Sequence, residues 1–285
     1  MKFDFMKNHS SEFRVQKMAD ALGVARSAYY AWQKRGESQR KKDNGRLLNQ
    51  IHILHARSYG IYGSRRIMVA LRNEGHLCGK NRIARLMRQA SIFSRKRRKF
   101  RVTTHSKHSF PKAENLVRQN FSTDKPNRLW VSDITYIWTK EGWLYLVVII
   151  DVFSRLVVGW SLSNQLHHSL VIQAFQQAVR NRDVQPGLVF HSDRGVQYAC
   201  EDVKEQLRKH QIIQSMSGSG NCYDNALAES FFHSLKTEWI YFEKYETKEQ
   251  ASLSVFEYIE SFYNRHRFHS NLGYRSPEKY EQLNS

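Results

Sequence analysis

Cysteine is scarce in this chain of 285 residues, and no long hydrophobic run is present. The three cysteines, Cys78, Cys200 and Cys222, form no CxxC pair, which excludes a disulfide framework and indicates free thiols in a reducing cytosol. The longest apolar run, residues 143–150, is far shorter than the roughly 20 residues that span a bilayer. Residues 1–10 contain charges and no apolar core, so no secretory signal is expected. These absences predict a soluble protein of the cytoplasm without a membrane partner.

Acidic residues are scarce in the first part of the chain. Residues 1–125 contain 29 Lys and Arg against 8 Asp and Glu, a net charge of +21, whereas residues 126–285 contain 16 against 18, a net charge of −2. Lys and Arg supply most of the sequence-independent affinity for DNA because they neutralise phosphates, so the asymmetry predicts a polyanionic partner. A basic surface that only maintains solubility is the alternative.

Residues 14–32 have the pattern of a helix, a tight turn and a second helix. Ala19 and Gly23, four residues apart, fit the close helix contact and the turn of a helix-turn-helix. Arg26 would begin the second helix and is a candidate DNA contact. Small helical pairs also occur as plain packing modules, so this pattern favours DNA binding only modestly.

A second helical unit is predicted at residues 46–92. Ser64 is a plausible N-cap, Gly75 suits the end of that helix, and Asn81 can open a further helix. The polar face of the last helix could instead be merely solvated, but two consecutive basic helical pairs favour DNA docking. The apolar positions expected to point inward are Ile67, Ala70, Leu71, Ile83, Leu86 and Met87, and the candidate DNA contacts are Lys80, Arg82, Arg85 and Arg88.

Residues 94–101 contain six basic side chains in eight positions and lead into a polar stretch that ends at residue 123. Such a run repels itself and is typical of an extended arm along a phosphate backbone. Because no CxxC lies near His105 and His108, no structural zinc is expected there. The candidate DNA contacts in this arm are Arg95, Lys96, Arg97 and Arg98.

From Pro126 onward the pattern changes to an α/β alternation, which predicts a mixed sheet with helices on both faces. The strand-like segments are 129–138, 143–150, 156–162, 188–192 and 211–216, and the helix-like segments are 169–180 and 201–210. No internal repeat is apparent.

Three acidic residues in this part lie in unusual surroundings. Asp133 interrupts the first strand-like segment, Asp193 follows a strand at its carboxyl end, and Glu229 lies on a predicted helix over 224–236, with 35 residues between Asp193 and Glu229. An ionised carboxylate among Trp, Val and Ile is costly to desolvate unless it is paired or binds a cation, and Mg²⁺ prefers carboxylate oxygens. Three converging carboxylates therefore suggest two Mg²⁺ ions that act on phosphodiesters.

The helix that carries Glu229 is amphipathic. Leu227, Phe231 and Leu235 form one apolar stripe, whereas Glu229 and Lys236 lie on the opposite side. Lys236 is seven residues after Glu229, only about 20° away around the helix, so it would lie beside the metal cleft and could hold a DNA phosphate. An ordinary exposed lysine is the alternative. Glu238 should point away from the cleft. His191 and His233 could approach it, but the sequence assigns them no role.

Four stretches of the chain together resemble the OrfB transposases of the copy-out-paste-in bacterial insertion sequences, the "IS-three" family. They are residues 123–137, 141–155, 191–198 and 217–238, and the resemblance runs almost end to end. It implies an RNase H-like core in which Asp133, Asp193 and Glu229 are the DDE triad of the retroviral-integrase superfamily. It also implies two Mg²⁺ ions, with Mn²⁺ as a possible substitute, and a DNA-end contact at the position of Lys236.

The resemblance further implies partners. These are double-stranded DNA at the element's terminal inverted repeats and at the target, a companion OrfA product fused to OrfB by frameshifting, and other copies of the chain assembled on DNA in a bacterial nucleoid. The expected reaction is Mg²⁺-dependent strand cleavage followed by strand transfer. A non-catalytic DNA-binding regulator and an RNase H-like nuclease without strand transfer remain the alternatives.

The predicted organisation has four parts. Residues 1–45 and 46–95 form helix-turn-helix-like modules, 96–124 form a basic linker, and 125–285 form the catalytic domain. Asp151 competes as a metal ligand, but an Asx turn between two strands suits its position better. The aromatic and basic segment 262–277 could contact DNA or pack on the core.

Overall fold

The computed structural model describes residues 1–95, 113–218 and 222–285. Most of the predicted basic arm, including Lys96, Arg97 and Arg98, lies outside the described residues. The same is true of His105 and His108. Within the described ranges, no helix combines the length and the apolarity that crossing a bilayer requires.

The N-terminal part is helical, as predicted, and contains more helices than the sequence indicated. The helices are α1 (Lys2–Asn8), α2 (Val15–Leu22), α3 (Arg26–Lys34), α4 (Gln39–Arg57), α5 (Ser64–Asn73) and α6 (Lys80–Gln89). The helix-turn-helix is confirmed, since Gly23 ends α2 in the left-handed region with φ 61° and Ala19 is buried. The small core of α1–α3 is built by Met6, Met18, Ala19 and Tyr29.

The second helical unit differs from the prediction in two details. Helix α4 runs without a break through residue 45, where the sequence suggested a division between modules. Ser64 is the first residue of α5 rather than its N-cap: Gly63 precedes the helix in an extended conformation, and its carbonyl accepts the first helical bond from the Ile67 N–H at 3.0 Å. The end of α5 at Gly75, with φ 86°, is as predicted. All six apolar positions predicted to point inward are buried.

The C-terminal part contains a five-stranded mixed sheet, counted over the described residues, with the strand order β3-β2-β1-β4-β5. Strand β2 pairs antiparallel with both β1 and β3, whereas β4 runs parallel to both β1 and β5. The strands are β1 (Leu129–Thr139), β2 (Gly142–Asp151), β3 (Val157–Ser163), β4 (Val189–Ser192) and β5 (Ile213–Met216). This order places β1 at the centre, with β4 on one side of it and β2 on the other.

Helices cover both faces of the sheet, as predicted. The helices are α7 (His168–Asn181), α8 (Val196–Ala199), α9 (Glu201–Lys209), α10 (Ala226–Glu238), α11 (Lys248–Phe256), which continues as a π-helix over Glu257–Tyr263, and α12 (Pro277–Asn284). On one face, Trp130 and Ile149 pack with α7 and α9. On the other face, Val131 and Ile150 pack with α10 and α11.

The helical unit α4–α6 does not stand apart from the sheet domain. Its buried residues, Ile51 and Leu71 among them, belong to the same apolar core as α10 and Phe262. The Tyr62 hydroxyl donates to the His266 carbonyl at 2.6 Å and accepts from the Phe268 N–H at 2.8 Å. Residues 46–92 and the C-terminal segment therefore form one packed body.

Candidate active site

The pairing of β1 with β4 places two predicted acids side by side. The strands are parallel, and Ser132 is opposite Ser192 in the register, so the next residue of each chain, Asp133 and Asp193, emerges at the same place. Strand alternation puts Asp133 on the face of the sheet that α10 covers, with Val131. The two carboxylates come together because β4 ends at Ser192, which lies beside the middle of the longer strand β1.

The local turn fixes Asp193. Its Oδ1 accepts a hydrogen bond from the Gly195 N–H at 2.9 Å, which closes an Asx turn before α8. A Cβ on Gly195 would lie only 2.9 Å from that same oxygen and 3.2 Å from the Gln197 Oε1. A methyl group at residue 195 would therefore displace the Asp193 carboxylate, although the φ of −58° is open to any residue.

Asp133 is in an unfavourable electrostatic environment. Burial raises the pKa of Asp133 well above its ordinary value, and the negative charges of Asp193 and Glu229 raise it further. The Ile134 N–H, which donates to Asp133 Oδ1 at 2.8 Å, and the positive charge of Lys236 oppose this shift in the pKa. Two carboxylates in this position repel each other unless a cation lies between them.

Glu229 lies in the first turn of α10, which packs on β1. Leu227, Phe231 and Leu235 are buried, as predicted, and Glu229 is on the exposed side. Burial raises the pKa of its carboxyl, so the group is partly desolvated in spite of its exposed position. The charge of Glu229 acts on Asp133, but no three His, Cys, Asp or Glu side chains in the described ranges stand close enough together to form a ready metal site.

Lys236 is buried, with 8% of its surface exposed, so it is not an ordinary surface lysine. Its ammonium lies over the ring of Tyr136, with Nζ 4.9 Å from the ring centroid. Burial lowers the pKa of Lys236, and the negative charge of Asp133 opposes that shift. The lysine therefore belongs to the electrostatic environment of the acidic pair.

Two features of the site were missed from sequence, and the first is Tyr198 on α8. Its hydroxyl is 2.8 Å from the Ser132 Oγ, which itself donates to the Val148 carbonyl at 2.9 Å, so Tyr198 is the donor to Ser132. Burial raises the pKa of Tyr198 well above its ordinary value, and the charges of Asp133 and Asp193 add to the shift. A neutral, fully buried tyrosine thus supports the strand that carries Asp133.

The second missed feature is the network that fixes the entrance to α10. The Asp224 carboxylate accepts from the Asn115 side-chain amide and from the Gly218 N–H, both at 2.8 Å. The Asp224 carbonyl is 2.9 Å from His191 Nε2, and the other ring nitrogen is 2.8 Å from the Ser215 Oγ. Burial lowers the pKa of His191, so the ring is neutral and serves as a structural bridge. No local sequence pattern reveals these distant partners.

Three further sequence hypotheses have clear outcomes. Asp151 forms the predicted Asx turn, accepting from the Phe153 N–H at 2.9 Å, and also pairs with Arg182 at 3.4 Å. Glu238 points away from the acidic pair, as predicted, and binds Arg267. In the segment 262–277, the packing alternative is correct for the residues that are buried in the core: Phe262, Tyr263, Arg267 and Leu272.

The predicted DNA contacts fall into two groups. Arg26, Lys80, Arg85 and Arg88 are exposed. Arg82 is half-buried and donates to the Asn44 Oδ1 at 2.9 Å, which ties α6 to α4. The Arg95 guanidinium donates to the Glu238 carbonyl at 3.1 Å and lies over Phe242, so a phosphate would have to compete with these contacts.

A central strand and its parallel neighbour that each present an aspartate, followed by a helix that presents a glutamate, define the integrase-core class of polynucleotidyl transferases. The family comparison agrees. Integrase core domain families match residues 123–222 and 229–284, and an HTH-like domain family matches residues 42–100.

The chain belongs to the family of the insertion-sequence IS3 transposases. It is 40% identical over 286 residues to the transposase InsF of insertion sequence IS3A from Escherichia coli (strain K12), which covers 100% of this chain and 99% of the relative. It is also 40% identical over 270 residues to a 31 kDa protein of insertion element IS600 from Shigella sonnei, covering 93% of this chain and 99% of the relative.

Solved structures of viral integrases are also similar. The simian T-cell lymphotropic virus intasome in complex with the PP2A regulatory subunit B56 gamma matches with a TM-score of 0.48 and 16% identity, covering 81% of this chain and 74% of that one. The HTLV-2 integrase catalytic core domain in complex with magnesium matches with a TM-score of 0.43 and 18% identity, covering 55% of this chain and 97% of that one.

Proposed function

We propose that Asp133, Asp193 and Glu229 are the catalytic carboxylates with which this transposase cleaves a DNA strand at the end of its insertion sequence and joins the freed 3′ end to a second phosphodiester. The observation that carries the proposal is the adjacency of Asp133 and Asp193 across the β1–β4 pair. Burial, and after it the charge of the adjacent Asp193, raises the pKa of Asp133, a cost that a structural role does not explain.

The donor set fits magnesium. Two adjacent carboxylates offer hard oxygen ligands, their repulsion is relieved by a cation, and Glu229 can supply a third carboxylate from α10. Asp133, Asp193 and Glu229 would hold the magnesium, in this proposal two ions, which would supply charge stabilisation for an in-line displacement, and Mn²⁺ is expected to substitute.

The residues of the chain have separate tasks in this scheme. The Gly195 N–H fixes one oxygen of Asp193, and the Ile134 N–H fixes one oxygen of Asp133. Tyr198 and Ser132 support the strand below the pair. Lys236 lowers the pKa of Asp133 and is placed to hold a strand phosphate beside the acids.

DNA is held by the basic N-terminal part in this proposal, because residues 1–125 carry a net charge of +21. The exposed residues Arg26, Lys80, Arg85 and Arg88 are the proposed backbone contacts. We further infer that recognition of the terminal inverted repeats uses a companion OrfA product, joined to this chain by frameshifting, and that several copies assemble on the paired ends in the nucleoid.

Product analysis tests the proposal directly. Full-length wild type and the variants Asp133→Asn, Asp193→Asn and Glu229→Gln are incubated with Mg²⁺ and a labelled duplex that carries one terminal repeat of the element. Each variant should lose cleavage and strand transfer by at least about a thousandfold and keep its DNA affinity, whereas Asp202→Asn, an exposed change on α9, should remain active.

Each other result has a defined meaning. Wild-type joining in any of the three variants contradicts the assignment of that residue. Cleavage without joining by the wild type indicates a nuclease, and binding without either reaction indicates a regulator.

A further inference from the structure

A polar cleft of about 410 Å³ lies beside α10, on the side where the helical unit and the C-terminal segment meet it. Arg66 from α5, Arg155 from the β2–β3 turn and Arg267 from the C-terminal segment all line it. Its volume falls in the range of about 300–1,000 Å³ that is usual for small-ligand sites. Ser230 follows Glu229 on α10 and forms part of the wall, so the same turn of α10 contributes one residue to the cleft and one to the proposed active site.

The cleft carries an excess of positive charge. No Asp or Glu of the described ranges is among its lining residues. The Glu238 carboxylate, which lies behind the wall, binds Arg267 at 2.7 and 2.8 Å and is 3.5 Å from Arg66. One negative charge is thus shared between two arginines, and the charge of the third arginine is not balanced by it.

Arg155 is the third arginine. Its guanidinium donates to the Phe121 carbonyl at 3.3 Å, and in the part of the chain that is described it forms no ion pair with a carboxylate. Burial lowers the pKa of Arg155, and the negative charge of Asp151 opposes this shift. A half-buried cation that no carboxylate binds directly is costly to desolvate, and an anionic ligand would reduce that cost.

The backbone directs Arg155 toward the cleft. Arg155 lies in the left-handed region with φ 63°, which is uncommon for a residue with a side chain, and its N–H closes the turn by donating to the Asp151 carbonyl at 2.8 Å. The turn that begins at Asp151 thus includes a mildly strained backbone conformation at Arg155, and in this conformation the Arg155 side chain lines the cleft.

The three arginine charges also act on His269, another residue of the cleft wall. Burial lowers its pKa well below the ordinary value, and the charges of Arg267, Arg66 and Arg155 lower it further. The ring is neutral, so it adds hydrogen-bonding capacity without charge.

We propose that this arginine cleft binds a backbone phosphate of the DNA strand that runs through the active site, with Arg155 as the principal contact. The inference rests on the proposed function, which places DNA at Glu229, and it extends that function by assigning the strand a second anchor away from the carboxylates. Charge complementarity favours a phosphodiester, because guanidinium groups bind phosphate oxygens in pairs and the cleft is too polar for an apolar ligand.

The test is DNA binding by the full chain, measured by fluorescence anisotropy on a duplex that carries one terminal repeat, over a series of salt concentrations. Arg155→Gln should weaken binding about tenfold and reduce the log–log salt slope by about 0.9, the value for one phosphate contact, whereas Arg155→Lys should restore part of the affinity. Arg180→Gln, which removes an exposed arginine from α7 on the opposite face of the sheet, is the matched control and should behave as wild type.

A second variant tests the cleft without a change in the β2–β3 turn that contains Arg155. Asn271 is an exposed residue of the cleft wall, and Asn271→Asp adds a negative charge without a change of size. It should also weaken binding, whereas Gln173→Glu, the same amide-to-carboxylate change on exposed α7, should not. If Arg155→Gln proves unfolded in a thermal melt, Asn271→Asp decides the question.

Single methylphosphonate substitutions in the duplex locate the contact. One neutralised phosphate should weaken binding of wild type and have no further effect on Arg155→Gln. The inference is overturned if the cleft variants bind like their controls. That failure is separate from failure of the proposed function, which is judged by the loss of joining in Asp133→Asn.

Discussion

The ammonium of Lys236 lies over the ring of Tyr136, with 4.9 Å between Nζ and the ring centroid, and the same ammonium lowers the pKa of Asp133. A lysine whose charge acts on Asp133 is thus held against a strand tyrosine. The contact gives the lysine a fixed position next to the acids, where an exposed lysine would move freely.

Lys236→Met should reduce strand transfer about tenfold, because it removes the proposed charge-assisted contact with a strand phosphate. It should also move the acidic limb of the pH–activity profile to higher pH, since loss of the positive charge raises the pKa of Asp133. Activity is measured against pH for wild type, for this variant and for Lys209→Met, an exposed lysine on α9. A profile that keeps its position would count against a role for Lys236 near Asp133.

Asp133→Asn should raise the thermal stability of the metal-free protein by about 2–4 °C, the shift that roughly 1 kcal/mol produces in a protein of this size. Asn keeps an oxygen for the Ile134 N–H and removes the repulsion from Asp193. Because folding raises the pKa of Asp133, its penalty is absent below the unfolded pKa of about 4, develops as pH rises toward the folded pKa, and is constant above it.

Melting curves in EDTA at neutral pH and near pH 4 therefore test the electrostatic account, because the gain should appear only at the higher pH. Added Mg²⁺ should stabilise wild type more than Asp133→Asn. Equal stabilisation of the two proteins by Mg²⁺ would indicate that the ion binds elsewhere.

Gly195→Ala should lower activity by about tenfold or more and change the free energy of unfolding by less than about 1 kcal/mol. The backbone at residue 195 accepts alanine, but the new methyl group would lie 2.9 Å from the Asp193 Oδ1 and would displace it. Gly36→Ala is the control, because a methyl group there meets no atom within 4 Å. Cleavage rates and urea denaturation are compared, and full activity in Gly195→Ala would show that the exact position of Asp193 is unimportant.

Two other glycines should respond to alanine with opposite signs. In Gly159→Ala, the methyl group would lie 2.3 Å from the Ala174 carbonyl oxygen, so the close packing of β3 on α7 should be lost at a cost of at least about 1–3 kcal/mol. In Gly45→Ala, the methyl group meets nothing within 4 Å in the middle of α4, and helix propensity should add about 0.5–1 kcal/mol. Urea denaturation of both variants checks the signs.

Substitution of the two glutamates of α10 should affect different properties: one change should lower the stability of the protein, and the other should abolish its activity. Glu238→Gln leaves the buried Arg267 without its carboxylate and should destabilise the protein by about 3–5 kcal/mol. Glu229→Gln should leave the free energy of unfolding nearly unchanged and abolish strand transfer, since Glu229 is exposed. Chemical denaturation and product analysis of both variants provide the comparison, and the reverse pattern would exchange the two roles.

The sequence predicted the parts of the fold that depend on local periodicity. Alternation in 129–138 and the apolar stripe of 169–180 led to boundaries within one residue of β1 and α7. It did not indicate α4, because residues 39–46 are almost entirely polar and the helix is stabilised by contacts that Leu47 and Ile51 make with the rest of the core. Local patterns do not contain such distant packing.

The same limit applies to the site. Asp133 and Asp193 could be singled out because they interrupt and follow strand-like segments, and Glu229 because it lies on the polar side of a predicted helix in a stretch that resembles the family. Tyr198 and Asp224 could not, because their roles come from hydrogen bonds to residues far away in the chain, 66 positions away for Ser132 and 109 for Asn115. The proposed catalytic residues were visible from sequence, whereas the residues that position them became visible only in three dimensions.

The common core of α4–α6 and the sheet domain has a consequence for where the DNA is cut. Tyr62, Arg66 and Arg95 connect the helical unit to α10 and the C-terminal segment, so DNA held on α6 would keep a constant distance and angle from Asp133. The fold would then set the number of base pairs between the bound sequence and the cleaved bond. Helices α1–α3 have a small core of their own, so this constraint does not extend to DNA that they hold.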